Sequence, residues 1–440
     1  MTYPEKVDLS ILKGSPTYEG SVQDLFSFED SGREYFLCRT SESGSVFDVG
    51  TIFSVPNSDI MRTVFRHILY TSMENPETWK AIGEDDIKTC YKDDEIIRDL
   101  LDGDLLAELR EKGMMTHHVG MVDHESGKIV QGEMPDPPTA MVVIEKFPVY
   151  KPARFSMWGR YGWDYHDYFQ AGRKVISLEH VFRLGSPGGS SLLKRFDRAK
   201  PEGADAVKKF LQDVGLEEEP VEWAMFGNMI YDCTTKYEPS DRQLSWQETI
   251  HLSGVSGELF EKVAKTLVFS TIYAKKFFAQ LGFELWDLKW ECAVDGGDII
   301  VVDTLDPDSV RVTGTVDYEG REVYIHFNKQ SIRDYYRLCR TEWYDSVNEA
   351  KKLARTDPKG RDFMAVYREK VEAGEFPDIP EYDPVFGKIQ SRKYGVMVDP
   401  LTGAMSWEDA KKEARDLMLQ EIEYYKERGK LDQFLKMNAK

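Results

Sequence analysis

The sequence predicts an α+β fold with antiparallel sheets and a helical C-terminal extension. Short apolar segments at 35–38 and 51–55, separated by Ser/Gly-rich turn residues, indicate strands near the N-terminus. A second pair of apolar runs, 283–292 and 299–303, flanks two glycines, which is typical of a hairpin and therefore of antiparallel pairing. Beyond Arg340 the composition shifts to charged segments with helical spacing, broken by proline-containing loops.

The remaining N-terminal elements follow from local patterns. Apolar residues at helical spacing predict a helix over 59–71, and a polar, acidic stretch predicts another over 93–112. The loop 135–138 contains three prolines, each of which lacks a backbone donor, so regular structure breaks there. The apolar run 140–144 then predicts a strand. We expect a domain boundary at the proline loop.

The longest helix is predicted over 258–281, because its apolar residues keep helical spacing and Gly282 stands where a glycine ends a helix. The last helix is predicted from a Ser406 cap to about Gly429. The predicted division is an N-terminal lobe over 1–138, a central domain over 139–340 and a helical extension over 341–440.

Composition and charge limit the classes of binding partner that we expect. The chain has 440 residues and a net charge of −20, which disfavours nucleic acid and anionic membranes because both bind positive surfaces. It contains no apolar run of membrane-spanning length and no signal-like start, so we expect neither membrane insertion nor secretion. The five cysteines form no C-x-x-C pair, which indicates free thiols in a reducing cytoplasm. Oligomeric state is left open, a homo-oligomer included.

Charged side chains alternate along the first strand of the predicted hairpin. Because side chains alternate between faces of a strand, Asp287, Lys289 and Glu291 share one face. If the loop 296–298 has three residues, Glu291 faces Asp303 across the pair. Two carboxylates beside a lysine suit Mg²⁺ with a nucleotide phosphate. An ordinary exposed hairpin face would show the same pattern.

Three segments follow one another here in the order of a known family: 287–291 (DLKWE), 303–311 (DTLDPDSVR) and 328–334 (NKQSIRD). They resemble the D-x-K-x-E-F-G, D-E-x-x-P-D-x-S-R and D-K-Q-x-x-R-D motifs of the SAICAR synthetase (phosphoribosylaminoimidazole-succinocarboxamide synthase) family. Further matches at 20–25, 45–48 and 234–238 extend the resemblance over roughly residues 16–340.

The resemblance implies a two-lobed, kinase-like fold with ATP between the lobes. It implies a ligase of purine biosynthesis that uses ATP and Mg²⁺ to join the amine of aspartate to a carboxylated nucleotide through an acyl phosphate. In this sequence Glu291 and Asp303 would hold Mg²⁺, and Lys289 would contact ATP phosphate. Asp287 would orient either Lys289 or a metal-bound water. The implied nucleotide-binding residues are Gly20, Ser21, Lys289 and Glu291. The implied substrate-binding residues are Lys236, Ser240, Asp241, Arg242, Arg154, Arg160, Asp308, Arg311, Lys329 and Arg333.

Departures from the family pattern concentrate on the substrate and phosphate side. Ser21 and Gln23 stand where the family carries basic residues, and Ser240-Asp241 stands where it carries a His-Asp pair. We therefore expect ATP and Mg²⁺ binding to be retained, with weak or no activity on the carboxylated aminoimidazole nucleotide of the family. Three alternatives stay open: a ligase with another nucleotide or metabolite acceptor, a small-molecule kinase, and a binding protein without turnover.

Overall fold

The computed structural model describes residues 3–238, 241–357 and 361–440, which form seventeen strands and sixteen α-helices. The strands are β1 (Tyr18–Glu19), β2 (Gln23–Asp30), β3 (Arg33–Thr40), β4 (Ser43–Ser45), β5 (Thr51–Ser54), β6 (His118–Val122), β7 (Ile129–Val130), β8 (Met141–Glu145), β9 (Ala153–Met157), β10 (Arg160–Asp164), β11 (Arg173–Val175), β12 (Leu178–Ser186), β13 (Ala224–Thr235), β14 (Glu284–Asp295), β15 (Asp298–Val302), β16 (Val310–Tyr318) and β17 (Arg321–His326). The helices are α1 (Ser58–Glu74), α2 (Pro76–Lys80), α3 (Glu84–Lys88), α4 (Asp94–Asp102), α5 (Asp104–Lys112), α6 (His166–Gln170), α7 (Ser191–Ala199), α8 (Ala204–Val214), α9 (Trp246–Ser253), α10 (Gly257–Gln280), α11 (Lys329–Cys339), α12 (Thr341–Arg355), α13 (Phe363–Glu372), α14 (Pro384–Thr402), α15 (Trp407–Glu427) and α16 (Leu431–Asn438).

The first large sheet has the strand order β1-β2-β3-β8-β6-β7 and is antiparallel throughout. Helix α1 packs on it through contacts with β3, β6 and β8. Strand β8 follows the proline loop 135–138 and pairs with β3, with Val142 opposite Cys38. The first strand after the predicted boundary therefore completes the sheet that precedes it, and the division into domains stays a prediction.

The second large sheet is built around β14. In the order β13-β12-β14-β16-β17, this strand lies at the centre, and its C-terminal half also pairs with β11 and β15. Helix α10 packs against it, and the Trp290 indole donates to the Thr271 hydroxyl of α10 at 2.9 Å. All pairs in this sheet are antiparallel. The predicted α+β class with antiparallel sheets is confirmed.

The predicted long helix is confirmed as α10, with a Ser256 cap and Gly282 at a φ of 73° after its end. The single helix predicted over 93–112 is wrong: α4 and α5 are separated by Gly103, whose backbone is extended. Glycine disfavours a helix interior because its backbone loses more conformational entropy than other residues do when it is fixed. The acidic stretch therefore breaks at Gly103.

The C-terminal extension consists of α12 to α16 and packs onto both halves of the molecule. Helix α14 packs against α1, and α15 packs against β16. The helix predicted from Ser406 is confirmed as α15, but α16 follows it and is the last helix. Within the described residues, no helix is long and apolar enough to cross a membrane.

Candidate functional site

The β14–β15 hairpin carries the predicted metal ligands in a different register from the expected one. Gly296 and Gly297 both have positive φ and form a two-residue loop, so Asp295 pairs with Asp298 and Glu291 with Val302. The predicted three-residue loop and the direct pairing of Glu291 with Asp303 are therefore wrong. Asp303 itself adopts a left-handed backbone with φ 73°, directly after β15 ends.

The carboxyl groups of Glu291 and Asp303 nevertheless form a hydrogen bond. Burial and the neighbouring Asp303 raise the pKa of Glu291 well above its ordinary value. Burial also acts to raise the pKa of Asp303, but Lys236 and the hydrogen bond from Glu291 outweigh it and hold that pKa low. Glu291 is only 4% exposed, so the alternative of an ordinary exposed hairpin face is wrong for this residue. The two carboxyl groups therefore lie side by side, with Glu291 buried and Asp303 exposed.

Two lysines and a third carboxylate surround this acid pair. Lys236 forms an ion pair with Glu291 and lies 3.2 Å from Glu179 Oε1, while Lys289 Nζ lies 2.5 Å from the same Glu179 oxygen. Glu179 comes from β12, which pairs with β14 beside Lys289. Glu179 and Glu291 are buried, whereas the Lys289 side chain is 45% exposed. We call Glu179, Lys236, Lys289, Glu291 and Asp303 the acid–lysine cluster.

Asp241 faces the acid–lysine cluster. Burial raises its pKa and the charge of Glu179 adds to the effect, while Lys289 and Lys236 oppose it. Its predicted neighbour Ser240 lies outside the described residues. Arg242 is exposed, and its guanidinium forms ion pairs with Glu238 and Glu248 at 3.3 and 3.0 Å.

Asp287 pairs with arginines. Its carboxylate lies 3.6 Å from Arg311 and 3.9 Å from Arg183. Arg183 also lies 3.4 Å from Asp232, which in turn forms a 2.9 Å ion pair with Arg195 of α7. A chain of alternating charges therefore leads away from β14 along the sheet.

A cavity of about 240 Å³ opens between α1, β2 and the segment that follows Asp303. We call it the α1 cavity; it is lined by Val22, Gln23, Thr40, Arg62, Arg66, Asp303, Thr304, Asp306, Asp308, Ser309 and Lys329. The predicted residues Gly20 and Ser21 immediately precede this lining. Gly20 makes a close turn there, since a Cβ on it would lie 2.6 Å from the Gln23 carbonyl oxygen.

Contacts inside the α1 cavity link three parts of the chain. Asp308 lies 3.5 Å from the Arg62 guanidinium and accepts a 2.7 Å hydrogen bond from the Tyr394 hydroxyl of α14. Lys329 begins α11, and Arg333 lies one turn further along that helix. Burial lowers the pKa of Arg333, as do the nearby Arg311 and Arg337. Five cationic side chains thus converge at this side of the hairpin.

The two remaining predicted arginines are held apart from these groups. Arg154 and Arg160 are exposed on β9 and β10, a hairpin that pairs with no other described strand. The Arg154 guanidinium stacks on the Tyr161 ring at 3.9 Å. Their role in substrate binding stays a prediction.

Several site residues escaped the sequence analysis. Arg62 and Arg66 are four residues apart on the predicted helix 59–71, so they share a face, and this spacing was a usable signal. Glu179, Arg183 and Asp232 reach the site through strand pairing between distant segments. No local pattern marks them.

Comparison with known proteins agrees with the residues that carry the resemblance. The SAICAR synthetase family model matches residues 168–350. A protein assigned as a phosphoribosylaminoimidazole-succinocarboxamide synthase in Archaeoglobus fulgidus is 32% identical over 250 residues, 56% of this chain and 66% of that protein. The synthase of Thermoplasma acidophilum is 26% identical over 186 residues, 42% of this chain and 59% of the relative. The match thus spans less than two thirds of either relative.

Among solved structures, the SAICAR synthase of Saccharomyces cerevisiae complexed with SAICAR is 17% identical, with a TM-score of 0.49 over 88% of this chain and 94% of that one. The resemblance predicted from the three motifs is confirmed by the family match, which includes β14 and the acid–lysine cluster.

Proposed function

We propose that this chain, a divergent relative of the SAICAR synthetases, is an ATP-dependent ligase that forms an amide between an amine and a carboxylated nucleotide. The observation that carries the proposal is the acid–lysine cluster, in which three carboxylates and two lysines meet within the matched region. Aspartate is the proposed amine, as in SAICAR synthesis for purines.

The chemistry needs two displacements. An acceptor carboxylate oxygen attacks the γ-phosphorus of ATP, the bond to the bridging oxygen breaks, and ADP leaves. The amine nitrogen then attacks the carbonyl carbon of the acyl phosphate, phosphate departs with the bonding electrons, and the nitrogen loses a proton. Catalysis of such steps is mostly positioning and neutralisation of charge.

Lys289 is the group best placed to meet the phosphoryl oxygens. Its side chain is 45% exposed and reaches Glu179 through a 2.5 Å ion pair, which holds the ammonium at the edge of the cluster. Lys236 is less exposed and spans Glu179 and Glu291, so its charge holds these acids in place. Lys289 would therefore contact ATP, and Lys236 would organise the carboxylates behind it.

The donor set fits Mg²⁺. The carboxyl groups of Glu291 and Asp303 lie side by side, and carboxylate oxygens are the ligands that a hard divalent cation prefers. When bound, the ion would neutralise charge on the transferring phosphoryl group. Among the described residues, no group of three or more His, Cys, Asp or Glu side chains is arranged to hold a metal ion, so an ion here would need further ligands from water or substrate phosphate.

The acceptor substrate would be anionic. Arg311, Lys329 and Arg333 supply positive charge beside the hairpin, and Asp241 supplies an acceptor for an amine. Arg242 is engaged by Glu238 and Glu248 and would not reach the substrate without leaving them. We expect small-molecule substrates, no nucleic acid, and a reducing compartment such as the cytoplasm for the five free thiols.

The test is ADP release from ATP and Mg²⁺ with the carboxylated aminoimidazole nucleotide and each amino acid in turn. We expect aspartate-dependent release, with kcat/KM below about 10⁴ M⁻¹s⁻¹ because Ser21 and Gln23 replace basic residues. The Lys289→Met variant should raise the KM for ATP and lower kcat, because a point charge on a phosphoryl group contributes most in the transition state.

Other outcomes redirect the proposal. Release with another carboxylate and an amine would identify a ligase with a different acceptor. Release with a hydroxyl compound and no amine would identify a kinase. Nucleotide binding without release in any mixture would identify a binding protein and contradict the ligase.

A further inference from the structure

The β9–β10 hairpin presents large apolar side chains to solvent on both of its faces. All five residues of β9 are exposed, and three of the five residues of β10 are exposed as well. Trp158 at the tip is 90% exposed, and Phe155, Met157 and Tyr161 are each more than half exposed. A contiguous exposed apolar surface of this kind marks a site of interaction.

The backbone at Trp158 points in the same direction. Met157 pairs with Arg160, so Trp158 and Gly159 form a two-residue turn, with φ values of 53° and 73°. Such turns favour asparagine or glycine at the first position, because a bulky side chain is strained at positive φ. Neither the strained backbone nor the solvated ring of Trp158 stabilises the isolated hairpin, so we look for its role in a contact with another molecule.

The charge of the hairpin is opposite to that of the whole chain. Residues 149–163 contain Lys151, Arg154 and Arg160 and no acidic residue, although the chain has a net charge of −20. None of these three side chains forms an ion pair with a described residue, and the Arg154 guanidinium is stacked on the Tyr161 ring. The hairpin therefore combines exposed aromatic rings with free positive charge, and its partner should be apolar and acidic.

A groove of about 550 Å³ between α4, α5 and the start of α10 has these properties, and we call it the α5–α10 groove. Its lining includes the buried apolar residues Leu100, Leu106 and Phe269. Five acidic side chains and two lysines also line it, and both lysines form ion pairs with acids of the groove. Asp104 and Glu258 are exposed there and form no ion pair within the described part of the chain. The surplus of three acids matches the three cations of the hairpin.

The hairpin and the groove border the same junction of the molecule. Helix α6 follows β10 directly, and its Tyr168 hydroxyl donates to the Ser253 carbonyl at 2.5 Å. Lys174 Nζ, just beyond α6, donates to the Gly254 carbonyl at 3.0 Å. Ser256, two residues further, caps α10 and lines the groove. A two-fold axis beside this junction would place the hairpin of each copy at the groove of the other.

We infer that this chain forms a two-fold dimer in which the β9–β10 hairpin of each copy binds in the α5–α10 groove of the other. Trp158 contacts the apolar lining of the groove, and Arg154 and Arg160 lie beside the acidic groups of Asp104 and Glu258 of the second copy. The inference goes beyond the proposed ligase activity and does not depend on it.

The first test is the mass of the full chain by sedimentation across the micromolar range. Wild type should be a dimer, and Trp158→Asn should raise the dissociation constant about a hundredfold or more, because the central aromatic contact is lost. Asn-Gly is the preferred pair for this turn, so the hairpin itself is kept. The variant monomer should be no less stable than the wild-type monomer at a concentration where both are dissociated. Val221→Ser, at a 61% exposed site outside the hairpin and the groove, is the matched control and should leave the mass unchanged.

The second test exchanges the charges. The hairpin variant Arg154→Glu/Arg160→Glu and the groove variant Asp104→Lys/Glu258→Lys should each be monomeric, because each places like charges against each other in its own dimer. An equimolar mixture of the two should form a heterodimer, since opposite charges then meet at both contacts. Circular dichroism of each variant alone checks that the fold is intact.

Three results would overturn the inference: a wild-type monomer throughout the micromolar range, a dimer that survives Trp158→Asn, or folded charge variants that do not associate when mixed. A surviving dimer would assemble through another surface, and a monomer would leave the hairpin to a different class of partner. Mass is measured without substrates, so failure of the proposed ligase is a separate outcome: an inactive chain that dimerises through the hairpin keeps the inference, and an active monomer refutes it.

Discussion

Two lysine–glutamate pairs with a buried glutamate have different surroundings in this protein. Lys393 and Glu421, at 0% and 1% exposure, join α14 and α15 of the extension. Lys393 Nζ also donates to the His326 carbonyl at 2.7 Å and to Ser331 Oγ at 3.1 Å, and the Ser331 hydroxyl donates to Glu421. All three ammonium donors are used. The pair therefore needs no further charged partner.

Around Lys236 and Glu291, by contrast, the numbers of acidic and basic side chains do not match. Glu179 and Asp303 add two carboxylates and Lys289 adds one ammonium, so three acids face two lysines. Burial and the neighbouring Asp303 raise the pKa of Glu291 well above its ordinary value, as expected where carboxylates outnumber cations. An ion pair with matched partners stabilises packing, whereas a cluster with surplus acid is suited to accept a cation or proton.

The largest effect should come from breaking the balanced pair. Lys393→Met leaves Glu421 buried without its cation and should lower the free energy of unfolding by about 3–5 kcal/mol. Turnover per folded molecule should be unchanged in the ADP-release assay. The double variant Lys393→Met/Glu421→Leu should recover most of the stability in urea titration; if it does not, the cost lies in packing rather than in the orphaned charge.

A substitution in the acid–lysine cluster should instead lower turnover and leave stability nearly unchanged. Glu291→Gln should lower kcat about a hundredfold, because the cluster loses the acid that would hold the metal. The free energy of unfolding should change by less than about 1 kcal/mol, since glutamine matches the shape of the acid and Lys236 keeps its ion pair with Glu179. Asp298→Asn at the exposed hairpin turn is the control. Wild-type turnover in Glu291→Gln would contradict the assignment.

The smallest effect should come from the single hydroxyl that joins the extension to the α1 cavity. Tyr394→Phe removes the 2.7 Å hydrogen bond to Asp308 and should cost about 1 kcal/mol of unfolding free energy. It should also raise a substrate KM a few-fold, because Asp308 loses one of its two restraints. Tyr425→Phe is matched, since the buried Tyr425 hydroxyl has no partner among the described residues. Equal kinetics in the two variants would exclude a positioning role.

The sequence predicted the parts of the fold that depend on local pattern. Helix α10 and its Gly282 terminus follow from periodicity and capping chemistry, whereas the Ser256 cap was not predicted. The nearness of Glu291 and Asp303 was also predicted, although the loop length was wrong. A turn with two glycines permits both two- and three-residue loops, so the register was not determined by sequence.

The rest of the site depends on contacts between distant segments. Glu179 meets Lys289 because β12 pairs with β14, across more than a hundred residues of chain. Tyr394 reaches Asp308 only because α14 packs against α1. Long-range pairing leaves no periodic trace at a single polar residue, so these partners could not be identified from sequence.

The left-handed backbone at Asp303 places two selective pressures on one position. A side chain there pays a conformational cost that glycine does not, and asparagine pays less of it than most residues. Selection for thermal stability alone would enrich glycine at 303, while selection for the turnover proposed above would retain the carboxylate. Position 303 therefore records which pressure has governed a lineage, and glycine there would mark a descendant that keeps the fold after losing the chemistry.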